Sequence, residues 1–124
     1  MPQKTRSASP PSLAGLRRQL RRFAEARDWG QFHTPKNLAM ALSVEAAELL
    51  ECFQWLTPEQ SARPGAVERR AIEEEMADVL LYLLRLSDVL GVDLPRAAQR
   101  KMAVNARKYP VALARGNARK YSRR

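Results

Sequence analysis

Apolar residues recur at helical spacing in four separate stretches of the chain. Leu13, Leu16, Leu20 and the pair Phe23/Ala24 share one face of a first helix, which Ser12 can cap and which runs to about Arg27. Arg17, Arg18, Arg21 and Arg22 fall mostly on the opposite side. The segment from Asp28 to His33 breaks the pattern, contains Gly30 and reads as a loop. Thr34-Pro35 then sets a capping residue before a proline, a strong helix start. This second helix is expected to reach about Trp55, with Leu38, Leu42, Glu45, Leu49, Cys52 and Leu56 as its inward stripe. Pro58, Pro64 and Gly65 predict a loop over 57–66. A third helix spans about Ala66 to Leu90 and stops at Gly91. Its stripe is Ile72, Met76, Val79, Leu83, Leu86 and Leu90, while Leu80, Leu81 and Leu84 carry apolar character round the remaining surface. A helix apolar on most sides is covered on most sides, which in so short a chain points to a subunit partner. Asp93 can cap a fourth helix, with Pro95 in its first turn and an end before Pro110. No segment alternates with period two, so the expected fold is an all-α bundle of four helices.

The length of 124 residues suits one domain with one core. The expected organisation is a disordered arm over 1–11, a helical domain over 12–109 and a basic tail over 110–124. No apolar run is long enough to cross a membrane, and the N-terminus lacks the apolar stretch of a secretory signal. The single cysteine, Cys52, excludes an internal disulfide framework and fits a reducing compartment, so the reading is cytoplasmic.

Charge changes the picture. The formal net charge is +9, but it is unevenly placed. Residues 1–22 carry six basic side chains and residues 100–124 carry nine, with no acid in either. Residues 23–99 carry thirteen acids against seven bases, a net of −6. A module that coats nucleic acid has little use for so acidic a centre. A site that takes a polyphosphate through a metal needs both signs.

The acids are ordered. Glu45-Ala-Ala-Glu48 on the second helix and Glu75-Met-Ala-Asp78 on the third each place two carboxylates one turn apart on one face. Glu45 falls near the middle of the apolar stripe, Glu48 at its edge, and Glu75 and Asp78 flank the stripe of the third helix, with Tyr82 continuing their line. An ionised carboxylate removed from water without a partner costs several kcal/mol, and four at one seam repel one another. A bound divalent cation relieves both, and an all-oxygen donor set suits Mg²⁺. The plain alternative is surface acids paired with nearby arginines. A di-iron bundle needs Glu-x-x-His pairs, and the only histidine, His33, lies outside both motifs. Glu73 and Glu74 read as solvated.

With these motifs in place, the sequence resembles the all-α nucleotide pyrophosphohydrolases of the MazG-like superfamily, and within it the dCTP pyrophosphatase branch. The likeness covers about residues 13–122. It rests on DWGQFHTPKNLAMAL, EAAELLECFQW, EEEMADVLLYLLRL, VDLP and KMAVNARKYP with a final RKY. The resemblance implies a helical bundle that assembles as a homotetramer, a dimer of dimers, with sites at subunit interfaces. It implies hydrolysis of a nucleoside triphosphate, dCTP or a modified dCTP, to the monophosphate and diphosphate, in the service of nucleotide-pool sanitation. Carried over by motif, Glu45, Glu48, Glu75 and Asp78 would be the Mg²⁺ ligands and catalytic carboxylates. Trp29, Gln31, Phe32, His33, Trp55 and Tyr82 would hold the base and sugar, and Lys101, Asn105 and Tyr109 would meet the phosphates or sugar. Where animal members of the branch carry a substrate-contacting histidine, this chain has Leu20. The loop after Trp55 is also shorter than theirs.

The residue types agree with those assignments. Lys101, Asn105 and Tyr109 are spaced i, i+4, i+8 and share a face wherever the helix persists, and a lysine there can offset phosphate charge. Trp29 and Trp55 can stack a base, an interaction worth about 1–3 kcal/mol, or can simply pack in a core. The rival functions are a basic helical module that binds nucleic acid, a scaffold without chemistry, and a pyrophosphohydrolase with another nucleotide preference. A scaffold would gain stability from an apolar residue in place of Glu45.

Overall fold

The computed structural model describes residues 9–123, so most of the arm expected over 1–11 lies outside the described residues. Among these residues the chain is all-α, with no strand. Four long helices stand close to their expected positions: α1 Leu13–Ala26, α2 Pro35–Glu51, α4 Ala66–Leu90 and α5 Leu94–Lys108. Two single turns, α3 Pro58–Ser61 and α6 Val111–Ala114, and a 3₁₀ turn at Tyr121–Arg123 complete the list.

The helix starts follow from their caps. The Ser12 hydroxyl accepts from the Gly15 amide at 3.0 Å, Thr34 from Asn37 at 3.1 Å, and Asp93 from Arg96 at 3.2 Å. Gly91 ends α4 in the left-handed conformation, φ +68°, which a side chain would strain. The second helix stops earlier than expected, at Glu51 rather than near Trp55. Its last amides turn back to carbonyls three residues away, Cys52 to Leu49 and Phe53 to Leu50, tightening and closing the helix. The loop expected over 57–66 contains α3, started by a capping box in which Thr57 and Gln60 exchange side-chain-to-backbone bonds.

The chain forms two compact units that divide between Gly91 and Val92. In the first, α4 packs chiefly on α2 and secondarily on α1. Ala24, Leu38 and Leu84 are its fully buried apolar residues, with Ser87 beside them. The stripe expected on α4 is matched only in part: Ile72, Val79 and Leu86 are part-buried. Met76, Leu83 and Leu90 are exposed, whereas Glu75, Asp78, Tyr82 and Arg85 lie on the part-buried side with Leu84. The physical reason is that leucines encircle this helix, so apolarity alone does not single out the face that meets α2 and α1.

In the second unit, α5 carries Lys101, Asn105 and, at its C-cap, Tyr109. Residues after Pro110 fold back on this helix: Tyr121 meets Tyr109 edge to face at 5.9 Å, and the Lys108 ammonium sits 4.8 Å from the centre of the Tyr121 ring.

Candidate functional site

Within the first unit, α2 and α4 place Glu45, Glu48 and Glu75 together. One carboxylate oxygen from each lies within 4.8 Å of the other two. The i, i+3 spacing on α2 puts Glu45 and Glu48 on the side that faces α4, and α4 answers with Glu75. Three like charges at such range are costly unless something neutralises them. Loss of water pushes the Glu45 carboxyl up to about 7, helped by hydrogen bonding with Glu48 and by the negative charges of Glu48, Asp78 and Glu75. Glu75 is raised for the same leading reason, with Glu48 and Asp78 adding to it. Glu45 Oε2 and Glu75 Oε2 have neither solvent contact nor a hydrogen-bond partner. Orphaned carboxylate oxygens in an all-oxygen cluster fit a hard divalent cation such as Mg²⁺.

Asp78 stands outside that trio and lines an adjoining cavity of about 170 Å³. Leu20, Phe23 and Ala24 of α1, Trp29 and His33 of the following loop, and Leu81, Tyr82 and Arg85 of α4 complete its wall. The cavity is apolar on its α1 side and carries polar groups from the loop and α4. Leu20, expected to pack on the stripe of α1, is part of this wall.

The loop that supplies Trp29 and His33 is wound tightly. Asp28 adopts a left-handed backbone, φ +53°, and the Gln31 amide donates to both its carbonyl at 3.0 Å and its carboxylate at 3.2 Å. The Asn37 amide, on α2, donates to the Phe32 carbonyl at 3.0 Å. Trp29 is wedged edge to face between Phe23, at 5.6 Å, and His33, at 6.1 Å. The structure thus brings Trp29, His33, Asp78 and Tyr82 to one cavity beside the acidic trio. Gln31 is spent on the loop itself. Phe32 is 60 % exposed and Trp55 85 % exposed, and neither lines the cavity. Lys101, Asn105 and Tyr109 belong to the second unit.

A charge network behind the cavity was missed in the sequence. The Asp88 carboxylate, 6 % exposed, accepts from Arg21 Nε at 2.9 Å and from Arg21 Nη2, and pairs with Arg17 at 3.7 Å and Arg85 at 3.3 Å. The Arg21 bonds hold its carboxyl below the usual carboxylate range against the opposing effect of burial. Arg85 also donates from Nε to His33 Nδ1 at 2.9 Å. Burial lowers the His33 pKa, and the Arg85 charge lowers it further. The expectation that Arg17 and Arg21 lie away from the packed face is therefore corrected, because long guanidinium stems reach round α1 to α4. The signal was available: Arg85 and Asp88 are the only charges within an otherwise leucine-rich stretch, one and two turns beyond Tyr82.

The MazG-like family matches residues 40–123, more than half of the chain. This protein belongs to the MazG-like family. It is 48 % identical to human dCTP pyrophosphatase 1 over 94 % of this chain and 70 % of the relative. The Bos taurus dCTP pyrophosphatase 1 is likewise 48 % identical, over 93 % of this chain and 69 % of the relative. Among solved structures, a pyrophosphatase from Archaeoglobus fulgidus superposes with a TM-score of 0.73 at 45 % identity, covering 83 % of this chain and 96 % of that one. As in the sequence-based expectation, the MazG-like chain is all-α, with no strand among its described residues. No helix among them is long and apolar enough to cross a membrane.

Proposed function

We propose that this MazG-like protein hydrolyses dCTP, and modified dCTP, to dCMP and diphosphate with Mg²⁺, as an enzyme of nucleotide-pool sanitation in the cytoplasm. The observation that carries the reading is the unneutralised trio of Glu45, Glu48 and Glu75, with its orphaned oxygens, next to a cavity walled by Trp29, His33, Asp78 and Tyr82. The names of the dCTP pyrophosphatase 1 relatives at 48 % identity support the choice of substrate.

Glu45, Glu48, Glu75 and Asp78 would hold Mg²⁺, whose charge, when bound, offsets the negative charge that builds on the triphosphate during cleavage. Either Glu45 or Glu48 orients the attacking water and takes its proton. The water oxygen bonds to the α-phosphorus, the bond from that phosphorus to the bridging oxygen breaks, and diphosphate leaves with the electron pair. Trp29, His33 and Tyr82 enclose the base and sugar, with Phe32, Gln31 and Trp55 at the rim. Lys101, Asn105 and Tyr109 meet the phosphates or sugar, the lysine offsetting charge. The helical domain is taken as residues 12–109, with 110–124 as a basic tail.

The assembly is a homotetramer, at least a homodimer. Met76, Leu80, Leu83 and Leu90 leave an apolar surface on α4 uncovered in the single chain, and the fully buried core is small for its length. Leu20 in the cavity wall favours a second reading of the specificity, in which another (d)NTP is preferred.

A panel of canonical and 5-modified (d)NTPs with Mg²⁺, read by diphosphate and monophosphate release, tests the reading. dCTP is expected to be cleaved fastest among the canonical nucleotides. No release from any triphosphate would refute the enzymatic function, and dCTP hydrolysed no faster than the rest would refute the cytosine preference.

A further inference from the structure

The cavity wall contains an arginine whose hydrogen bonds point away from any phosphate-binding role. Arg85 spends Nε on His33 Nδ1 at 2.9 Å and Nη1 on Asp88 Oδ2 at 3.3 Å, and its side chain is 11 % exposed. Asp88 is anchored in turn by Arg21 and Arg17 on α1. A guanidinium only donates and never accepts, so the ring nitrogen that faces it must present a lone pair. The proton of a neutral His33 then sits on the other nitrogen, Nε2. A second proton on the ring would put an imidazolium against the guanidinium. The relay from α1 through Asp88 and Arg85 therefore selects one of the three protonation states of the only histidine in the chain.

We propose that Arg85, held by Asp88, is a positioning residue that fixes the orientation and tautomer of His33, so that the cavity meets its substrate with a neutral Nε2–H donor. This rests on reading the cavity as the nucleotide pocket. A neutral donor suits the O2 or N3 acceptor of a cytosine, whereas a cation there would favour any phosphate that strayed in. Leu20 and Phe23 of α1 offer no polar group, so hydrogen-bond direction in the cavity comes from His33 together with Trp29, Asp78 and Tyr82.

The test uses full-length protein labelled with ¹⁵N, free of metal and nucleotide, in which the lone histidine gives an unambiguous ring spectrum. Wild type is expected to show unprotonated Nδ1 and protonated Nε2. Arg85→Met, which keeps the apolar stem and removes the donors, is expected to give mixed tautomers. In the dCTP assay it is expected to raise KM by roughly five- to tenfold, the equivalent of one hydrogen bond, with kcat changed less. Arg85→Lys, which restores a donor, is expected to recover part of both effects. A protonated Nδ1 in wild type overturns the proposal without recourse to any variant. It is also overturned by an Arg85→Met protein that keeps the wild-type tautomer, or that shifts tautomer with no change in KM. A wild type that cleaves no triphosphate refutes the enzymatic reading instead, and the ring spectra still decide what Arg85 does.

Discussion

Two groups of partly buried carboxylates on α4 meet opposite fates. Asp88 is surrounded by Arg17, Arg21 and Arg85 and titrates below its ordinary range. Nearly two heptads earlier, Glu75 meets Glu45 and Glu48 with no basic partner among the described residues, and both Glu75 and Glu45 are pushed upward. The chain supplies its own countercharge to the first group and withholds it from the second. A fold that needed only stability would have neutralised both, because an unpaired carboxylate loses its water and gains nothing. The difference sets Asp88 in the framework and leaves the glutamates as the candidate place for a ligand.

The largest effect that can break this contrast is on catalysis. Glu45→Gln or Asp78→Asn is expected to lower turnover by about 100-fold or more with helix content unchanged in circular dichroism. Full activity in either variant removes that carboxylate from the reaction.

Next in size is a dependence on pH that differs in sign between the two groups. Glu45 has its folded pKa raised from its ordinary 4.5 to about 7. The protonated form is the one the fold favours, so its contribution is complete below about pH 4.5 and is lost as pH rises through about 7. Metal-free Glu45→Gln, which cannot ionise, should therefore melt above wild type in EDTA at pH 8 and level with it near pH 4.5. Asp88 is depressed, so its contribution holds above its ordinary 3.8 and fails only as pH falls through its lower folded value. His33, also depressed, loses its contribution as pH falls below its ordinary 6.5, opposing Glu45 over part of the window. Comparison with Glu45→Gln separates the two, because His33 is common to both proteins.

A smaller effect is expected from Asp88→Asn, about 1–2 kcal/mol of stability in urea titration, since Arg17 and Arg21 are part-exposed and water takes over some of the lost bonds. Gly91→Ala should cost about 1 kcal/mol in the same measurement, from the left-handed backbone at the end of α4. Loss of several kcal/mol at Gly91 would show that the junction between the units does more than end a helix.

The sequence made the four long helices legible because each begins with a side chain that caps it, Ser12, Thr34 or Asp93, or ends at a left-handed glycine. It hid α3, whose Thr57 and Gln60 form a capping box inside a stretch punctuated by prolines. The carboxylate cluster was readable from two i, i+3 pairs: Glu45, Glu48 and Glu75 meet, and Asp78, whose charge acts on Glu45 and Glu75, also lines the cavity. The face of α4 was only half legible because leucines surround it: Ile72, Val79 and Leu86 are part-buried as expected, but Arg85 and Asp88 also turn inward to meet His33 and Arg21. Side chains that reach across helices leave no periodic trace, so the network behind the cavity surfaces only in three dimensions.

In the proposed reaction the acidic trio and Asp78 work through a divalent cation. Diphosphate release from dCTP, followed as Mg²⁺ is added to EDTA-treated wild-type protein, tests it most directly. No release is expected before addition and a saturable rise afterwards, about 100-fold or more smaller in Glu45→Gln at every Mg²⁺ concentration. Release at the full rate in EDTA would contradict it.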